Sequence, residues 1–156
     1  MNDLPLVVKR SVWLGLGVVA VLVAGCAGKA ATPVADRLTG AKEVPPVNTQ
    51  AWGTTDIAVT PSKCATAITS LSCQRVYGSV TTTGITATAA HIHEGKVGQN
   101  GPVIIPLEKR DDNTWIVPSG SYLTDSQYLA YSDGELYVNM HSAANPNGEI
   151  RAQLRP

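Results

Sequence analysis

The chain has 156 residues, of which 12 are Lys or Arg and 12 are Asp or Glu, so its formal charge is zero. No basic block and no interleaving of aromatic with basic residues occurs, which argues against nucleic acid as a partner. Phe is absent, and 14 glycines and 10 prolines punctuate a chain rich in Thr and Val, a composition that points to short β-strands joined by turns.

At the N-terminus, Lys9 and Arg10 precede an apolar stretch from Val12 to Ala24, which ends in Leu22-Val23-Ala24-Gly25-Cys26. This arrangement resembles the lipobox of bacterial lipoproteins, which implies cleavage before Cys26 and lipidation of that cysteine. Residues 1–25 are then a signal peptide and are left out of the fold. The other reading is a plain membrane helix, but about 13 apolar residues fall short of the ~20 needed to span a bilayer. Ala27 follows the cysteine, and by resemblance to the usual sorting pattern the anchor goes to the outer membrane of a bacterial envelope. Residues 26–35 read as the lipidated cysteine and a flexible tether of small residues. Residues 36–156 suit one domain with one core. Membrane contact is expected through the lipid, and no protein partner is legible.

Along that domain the strand signals come in order. Arg37 to Gly40 reads as a short first strand. Glu43-Val44-Pro45-Pro46-Val47 is an extended edge or entry loop, because two prolines donate no ladder bonds. Trp52 to Thr60 reads as one strand, Ala65 to Leu71 as another, and Val76 to Thr81 as a third. Cys64 and Cys73 remain as an even pair in a chain bound for an oxidising compartment, so a disulfide closing a short loop is expected. Thiolate metal ligation is the alternative, and the spacing lacks Cys-x-x-Cys. Ile85 to His93 alternates strictly, with Ile85, Ala87, Ala89, His91 and His93 on one face unless a bulge near Ala89-Ala90 intervenes. Glu94 to Pro102 is glycine-rich but lacks the ending of a phosphate loop, so it reads as turn chemistry. Val103 to Leu107 and Thr114 to Val117 are short strands flanking the charged turn Lys109 to Asn113.

One helix is expected. Thr124-Asp125-Ser126-Gln127 forms a capping box, Leu123 and Tyr128 are placed as a staple, and Gly134 is the stop. Glu135 to His141 then resumes the β pattern, with Leu136, Val138 and Met140 on one face and Tyr137, Asn139 and His141 on the other. Asn145-Pro146-Asn147-Gly148 is a turn. In the last strand, Ile150, Ala152 and Leu154 point inward and Glu149, Arg151 and Gln153 outward. The pattern predicts an all-β, Greek-key β-sandwich with one short helix.

The chain has three histidines, and all fall in two of these strands. His91 and His93 share a face, about 6–7 Å apart at the backbone, since side chains alternate along a strand. His141 from a neighbouring strand completes a trigonal set. Neutral imidazole suits copper, zinc, iron and nickel, and the affinity order puts copper ahead of zinc. A shared metal requires the three nitrogens to converge to about 3–4 Å. The competing reading is a hydrogen-bonded histidine cluster that pins adjacent strands. Glu94 is a candidate to orient an imidazole. Glu149 and Arg151 share a face and suit an ion pair with each other or with Glu43. A charged lip guiding small anions is the sharper reading of those three residues. No nucleophile triad and no paired-carboxylate site is legible, so no catalytic residue is assigned.

Leu38-x-Gly40, Glu43-Val44-Pro45-Pro46-Val47, Ala90-His91-Ile92-His93-x-Gly95, Gly101-Pro102-Val103, Tyr137-Val138-Asn139-Met140-His141 and Gly148-Glu149-Ile150-Arg151 occur in the order found in the CHRD domain, which the chain resembles over residues 36–155. That family, named after chordin and common in exported bacterial proteins, implies an immunoglobulin-like or superoxide-dismutase-like sandwich. Chordin carries several copies and its developmental role does not transfer. The His-x-His pair with a later histidine also resembles the copper ligands of copper–zinc superoxide dismutases. No histidine is left for that enzyme's bridging and zinc positions, so the resemblance implies a copper half-site only, and superoxide dismutation ranks last. A non-metal module of the envelope is the second reading. It would meet a protein or glycan through the glycine-rich loop and the edge at Pro45-Pro46.

Overall fold

The computed structural model describes the backbone over residues 37–65 and 70–156, and side chains over 37–62 and 73–156. The expected signal peptide, lipidated Cys26 and tether lie outside the described residues. Twelve strands follow in order: β1 (Leu38–Thr39), β2 (Trp52–Thr55), β3 (Ala58–Ala65), β4 (Ser70–Tyr77), β5 (Ser79–Thr83), β6 (Ala87–Glu94), β7 (Val103–Pro106), β8 (Glu108–Lys109), β9 (Thr114–Ile116), β10 (Tyr122–Leu123), β11 (Leu136–Ser142) and β12 (Ile150–Leu154). A 3-10 turn (Gly40–Lys42) follows β1, and helix α1 (Asp125–Ser132) precedes β11. The protein is an antiparallel β fold of sandwich or near-barrel form with one short helix. Nine strands pair in the order β7-β6-β11-β12-β1-β2-β5-β9-β8, and β10-β4-β3 form a second sheet. Among the described residues no helix is long and apolar enough to cross a membrane.

Two expected strands are each two. The run Trp52–Thr60 breaks at Asp56-Ile57, and the run Val76–Thr81 breaks at Gly78. Both breaks fall at one level, where the chain passes between the two sheets. Gly78 has φ +120°, and a Cβ there would lie 2.7 Å from the Ile57 Cα, so only glycine permits the crossing. Asp56 N donates to Ser79 O (3.1 Å) and ties the crossing strands together. The run Ala65–Leu71 is not a strand of its own. Its ends belong to β3 and β4, which pair from Ala58↔Tyr77 to Ala65↔Ser70, while residues 66–69 lie outside the described residues. The backbone register sets Cys64 opposite Leu71 and Cys73 opposite Ser62. The Cys64 side chain, and with it the expected disulfide, falls outside the described residues.

The helix follows its sequence signals. Thr124 Oγ1 accepts from Gln127 N and Gln127 Oε1 from Thr124 N, which closes the capping box. Gly134, at φ +72°, ends the helix.

The core is built from Leu38, Val80, Ala90, Ile92, Leu136, Val138, Met140, Ile150, Ala152 and Leu154, all at most 3 % exposed. The expected inward faces of β11 and β12 are therefore right. The opposite faces are also buried: Arg151 is 1 %, Tyr137 2 % and Asn139 3 % exposed. Glu149, Arg151 and Gln153 thus do not face water as the alternation suggested. The 95–101 loop lies over Arg151 and Gln153, and Gln153 Nε2 donates to Gly95 O (2.7 Å).

Candidate metal centre

Strand β11 lies between β6 and β12 and sets the centre. Its register puts Tyr137 opposite His93, Asn139 opposite His91 and His141 opposite Ala89. Between His141 and Ser142 the partner on β6 jumps from Ala89 to Ala87, leaving Thr88 as a bulge. The bulge resets the alternation. Ala87, Ala90 and Ile92 enter the core, while His91 and His93 turn to the polar face. The single unbroken row from Ile85 to His93 is corrected accordingly, and the change of face sits at Thr88 rather than at Ala89-Ala90.

One ring nitrogen from each of His91, His93 and His141 lies within 4.8 Å of the other two. Ring centroids are 4.8 Å apart for His91–His141, 5.6 Å for His91–His93 and 6.4 Å for His93–His141. Two imidazoles of β6 and one of β11 therefore form one cluster, wider at its largest spacing than the expected 3–4 Å. His93 and His141 are 8 % and 9 % exposed, and His91 is half-buried.

Backbone carbonyls fix the tautomers. His93 Nδ1 donates to Gly101 O (2.9 Å) and His141 Nδ1 to Pro146 O (3.0 Å). A carbonyl only accepts, so each Nδ1 carries the proton and each Nε2 keeps its lone pair. His141 Nε2 then accepts from His91 Nδ1 (2.9 Å). His93 Nε2 is buried and has no hydrogen-bond partner among the described residues. All three histidines are held below the ordinary imidazole range, with burial the main cause in each. For His91 the neighbouring imidazoles His141 and His93 add to the effect. For His93 and His141 the carbonyls of Gly101 and Pro146 act the other way without overcoming it. Neutral, pre-oriented imidazole is the form that ligates metal.

Of the surrounding groups, the sequence singles out Arg151 only as part of an ion pair or charged lip, and Tyr137 not at all. Tyr137 stacks on His93 with centroids 4.7 Å apart and planes 7° apart. The Arg151 guanidinium lies 3.3 Å from the Tyr137 ring centroid, and Tyr137 Oη accepts from Gly101 N (3.2 Å). The alternation that put Tyr137, Asn139 and His141 on one face was the available signal. Glu94 behaves otherwise than expected. It pairs with Leu136 one position beyond His93, on the core-facing parity of β6, and the atoms that orient the rings are carbonyls.

The three charged residues form neither a lip nor a single ion pair. Glu149 accepts from Thr49 Oγ1 (2.8 Å) and from Ser142 Oγ. Burial alone would raise its pKa, but hydrogen bonds from Ser142, Thr49 and Asn145 hold it below the usual carboxylate range. Arg151 donates to Asn100 Oδ1 (3.3 Å), Lys96 O (3.2 Å) and Gln153 Oε1 (3.4 Å). Glu43 is 5 % exposed, and burial pushes its carboxyl up to about 7 against the opposing effects of Arg151, the Val44 N–H and Asn139.

An antiparallel β near-barrel with three imidazoles gathered on two adjacent strands is thus the class of molecule that the fold and site define. Its sequence carries the CHRD domain over residues 34–154, and the chain belongs to that family. Neither the curated proteins nor the solved structures include a significant match.

Proposed function

We propose that the protein is a lipid-anchored component of the bacterial envelope that binds one copper-type ion through His91, His93 and His141. The single observation that carries this reading is His93 Nε2: a buried lone pair without a well-formed hydrogen bond among the described residues, set beside the Asn139 side chain and two other imidazoles. Burying an unsatisfied acceptor costs roughly 1–3 kcal/mol, and a metal ion would satisfy it. Ligand atoms around a four-coordinate ion with bonds of about 2.0 Å stand roughly 3.3 Å apart. Small ring movements bring the cluster to that spacing. For His91 to ligate through Nδ1, its proton would have to move to Nε2, which would free the Nδ1 and His141 Nε2 lone pairs that now share one hydrogen bond. Three nitrogen donors leave a coordination position open, which suits holding or handing on a metal. No acid–base pair accompanies the site, so binding rather than catalysis is the role proposed.

A second reading is favoured by one observation. His91 and His141 already share a 2.9 Å hydrogen bond, which can pin β6 to β11 without any ion. The protein would then be a non-metal module of the envelope. Equilibrium dialysis against buffered copper and zinc, followed by metal analysis, separates the two. The metal reading expects one copper per chain, bound more tightly than zinc and more tightly than micromolar. His93→Ala should lose it while keeping a cooperative unfolding transition. Absence of binding at micromolar copper supports the module instead.

A further inference from the structure

A cleft of about 580 Å³ opens beside the entry loop, and none of the three histidines lines it. Its lining includes Arg151 and Gln153 from β12, Glu43 and Val44 from the entry loop, Val97 from the 95–101 loop, and Arg155. The volume falls in the range of small-molecule sites. What distinguishes the cleft is Arg151, which is 1 % exposed. Its hydrogen-bond acceptors are an amide on Asn100, another on Gln153 and the Lys96 carbonyl, all neutral and all at 3.2 to 3.4 Å. Among the described residues no carboxylate lies within ion-pairing distance of it. A buried guanidinium without an anion is costly, and the planar fork of Arg suits a carboxylate held by two hydrogen bonds.

From this geometry we infer that the cleft binds a small organic carboxylate, whose head meets Arg151 and Gln153 and whose short apolar body lies between Val44 and Val97. Lys42 and Arg155, also in the lining, add positive potential. Glu43 offsets the guanidinium only in part at neutral pH, since its carboxyl, pushed up to about 7 by burial, is about half ionised there and forms no ion pair with Arg151. The apolar walls favour a monoanion with a hydrocarbon part over inorganic phosphate. This site does not rest on the metal reading, because its occupant is not a metal and its test is run without one, although Arg151 packs on the Tyr137 ring that stacks on His93.

The test is isothermal titration calorimetry of the metal-free protein, in chelator, with hexanoate, hexan-1-ol and inorganic phosphate. Hexanoate should bind at least ~10-fold more tightly than either of the others, the loss expected when a charge-assisted hydrogen bond is removed. Val97→Trp fills the cleft from a side chain that is 69 % exposed. It should weaken hexanoate by a similar factor at unchanged melting temperature. Arg151→Gln should also weaken hexanoate, at some cost in stability, and Val97→Trp keeps the question answerable if that variant does not fold. Equal binding of hexanoate and hexan-1-ol, phosphate binding as tight as hexanoate, full hexanoate affinity in Val97→Trp, or no binding by the folded protein would each overturn the proposal. None of those results bears on copper binding.

Discussion

Glu43 concentrates the electrostatics of this protein in one side chain. Its Oε1 is buried with no hydrogen-bond partner among the described residues. Gly148 backs onto it so closely that a Cβ there would lie 2.7 Å from that oxygen. With the folded pKa raised from 4.5 to about 7, the native state holds a proton that the unfolded chain releases between those values. Stability from this group is therefore full below about pH 4.5 and declines as pH rises through 7. The loss is at most ~3–4 kcal/mol. The histidines act oppositely. Their lowered pKa values mean that stability falls as pH drops below the ordinary imidazole range. Denaturant unfolding of wild type and Glu43→Gln over pH 4.5–7.5 separates the two effects. The difference between the proteins should move steadily against the wild type with rising pH. A constant difference would show that Glu43 does not titrate there.

At the scale of elements, the 95–101 loop and strand β11 build the site together. Gly101 supplies the carbonyl that fixes His93, and a Cβ on Gly101 would lie 1.6 Å from Glu94 O. Gly101→Ala must displace the loop, so it should weaken metal binding roughly 10–100-fold, as loss of an orienting partner does. Gly98→Ala is the control. Nothing lies within 4 Å of its Cβ, and although its positive φ costs some stability, metal affinity should stay within a few-fold. Competitive copper titration of both variants decides this, and equal affinities would remove the loop from the account. How much of this was legible follows the range of each interaction. The pairing of His91 with His93, the inward row of β11 and the capping box at Thr124 depend on neighbours a few positions away, and alternation or cap chemistry exposes them. The bulge at Thr88 and the breaks at Ile57 and Gly78 depend on strands paired across the fold. The burial of Arg151 depends on a loop more than 50 positions earlier, since its partners Lys96 and Asn100 are 55 and 51 residues away. A polar residue alternating with apolar ones reads as solvent-facing until that cover is known.

For the whole molecule, the proposed lipid anchor and the proposed metal site are each open to a direct measurement. A chain processed at the lipobox should lose residues 1–25 and carry diacylglycerol on Cys26. Its envelope-derived form would then match the lipidated mass by intact mass spectrometry, and Cys26→Ala should release it from the membrane fraction. An unprocessed N-terminus would contradict the anchor. The same preparation under non-reducing conditions should run two mass units below the dithiol form if Cys64 and Cys73 are bridged. The central claim is that imidazoles brought together by β6 and β11 take one metal ion. Electron paramagnetic resonance of the protein loaded with one equivalent of Cu(II) tests it most directly. The account predicts a single axial signal with superhyperfine splitting from three nitrogens, which loses one coupling in each single His→Ala variant that still binds copper. A spectrum indistinguishable from buffer-bound copper, or one unchanged in His93→Ala, would contradict it.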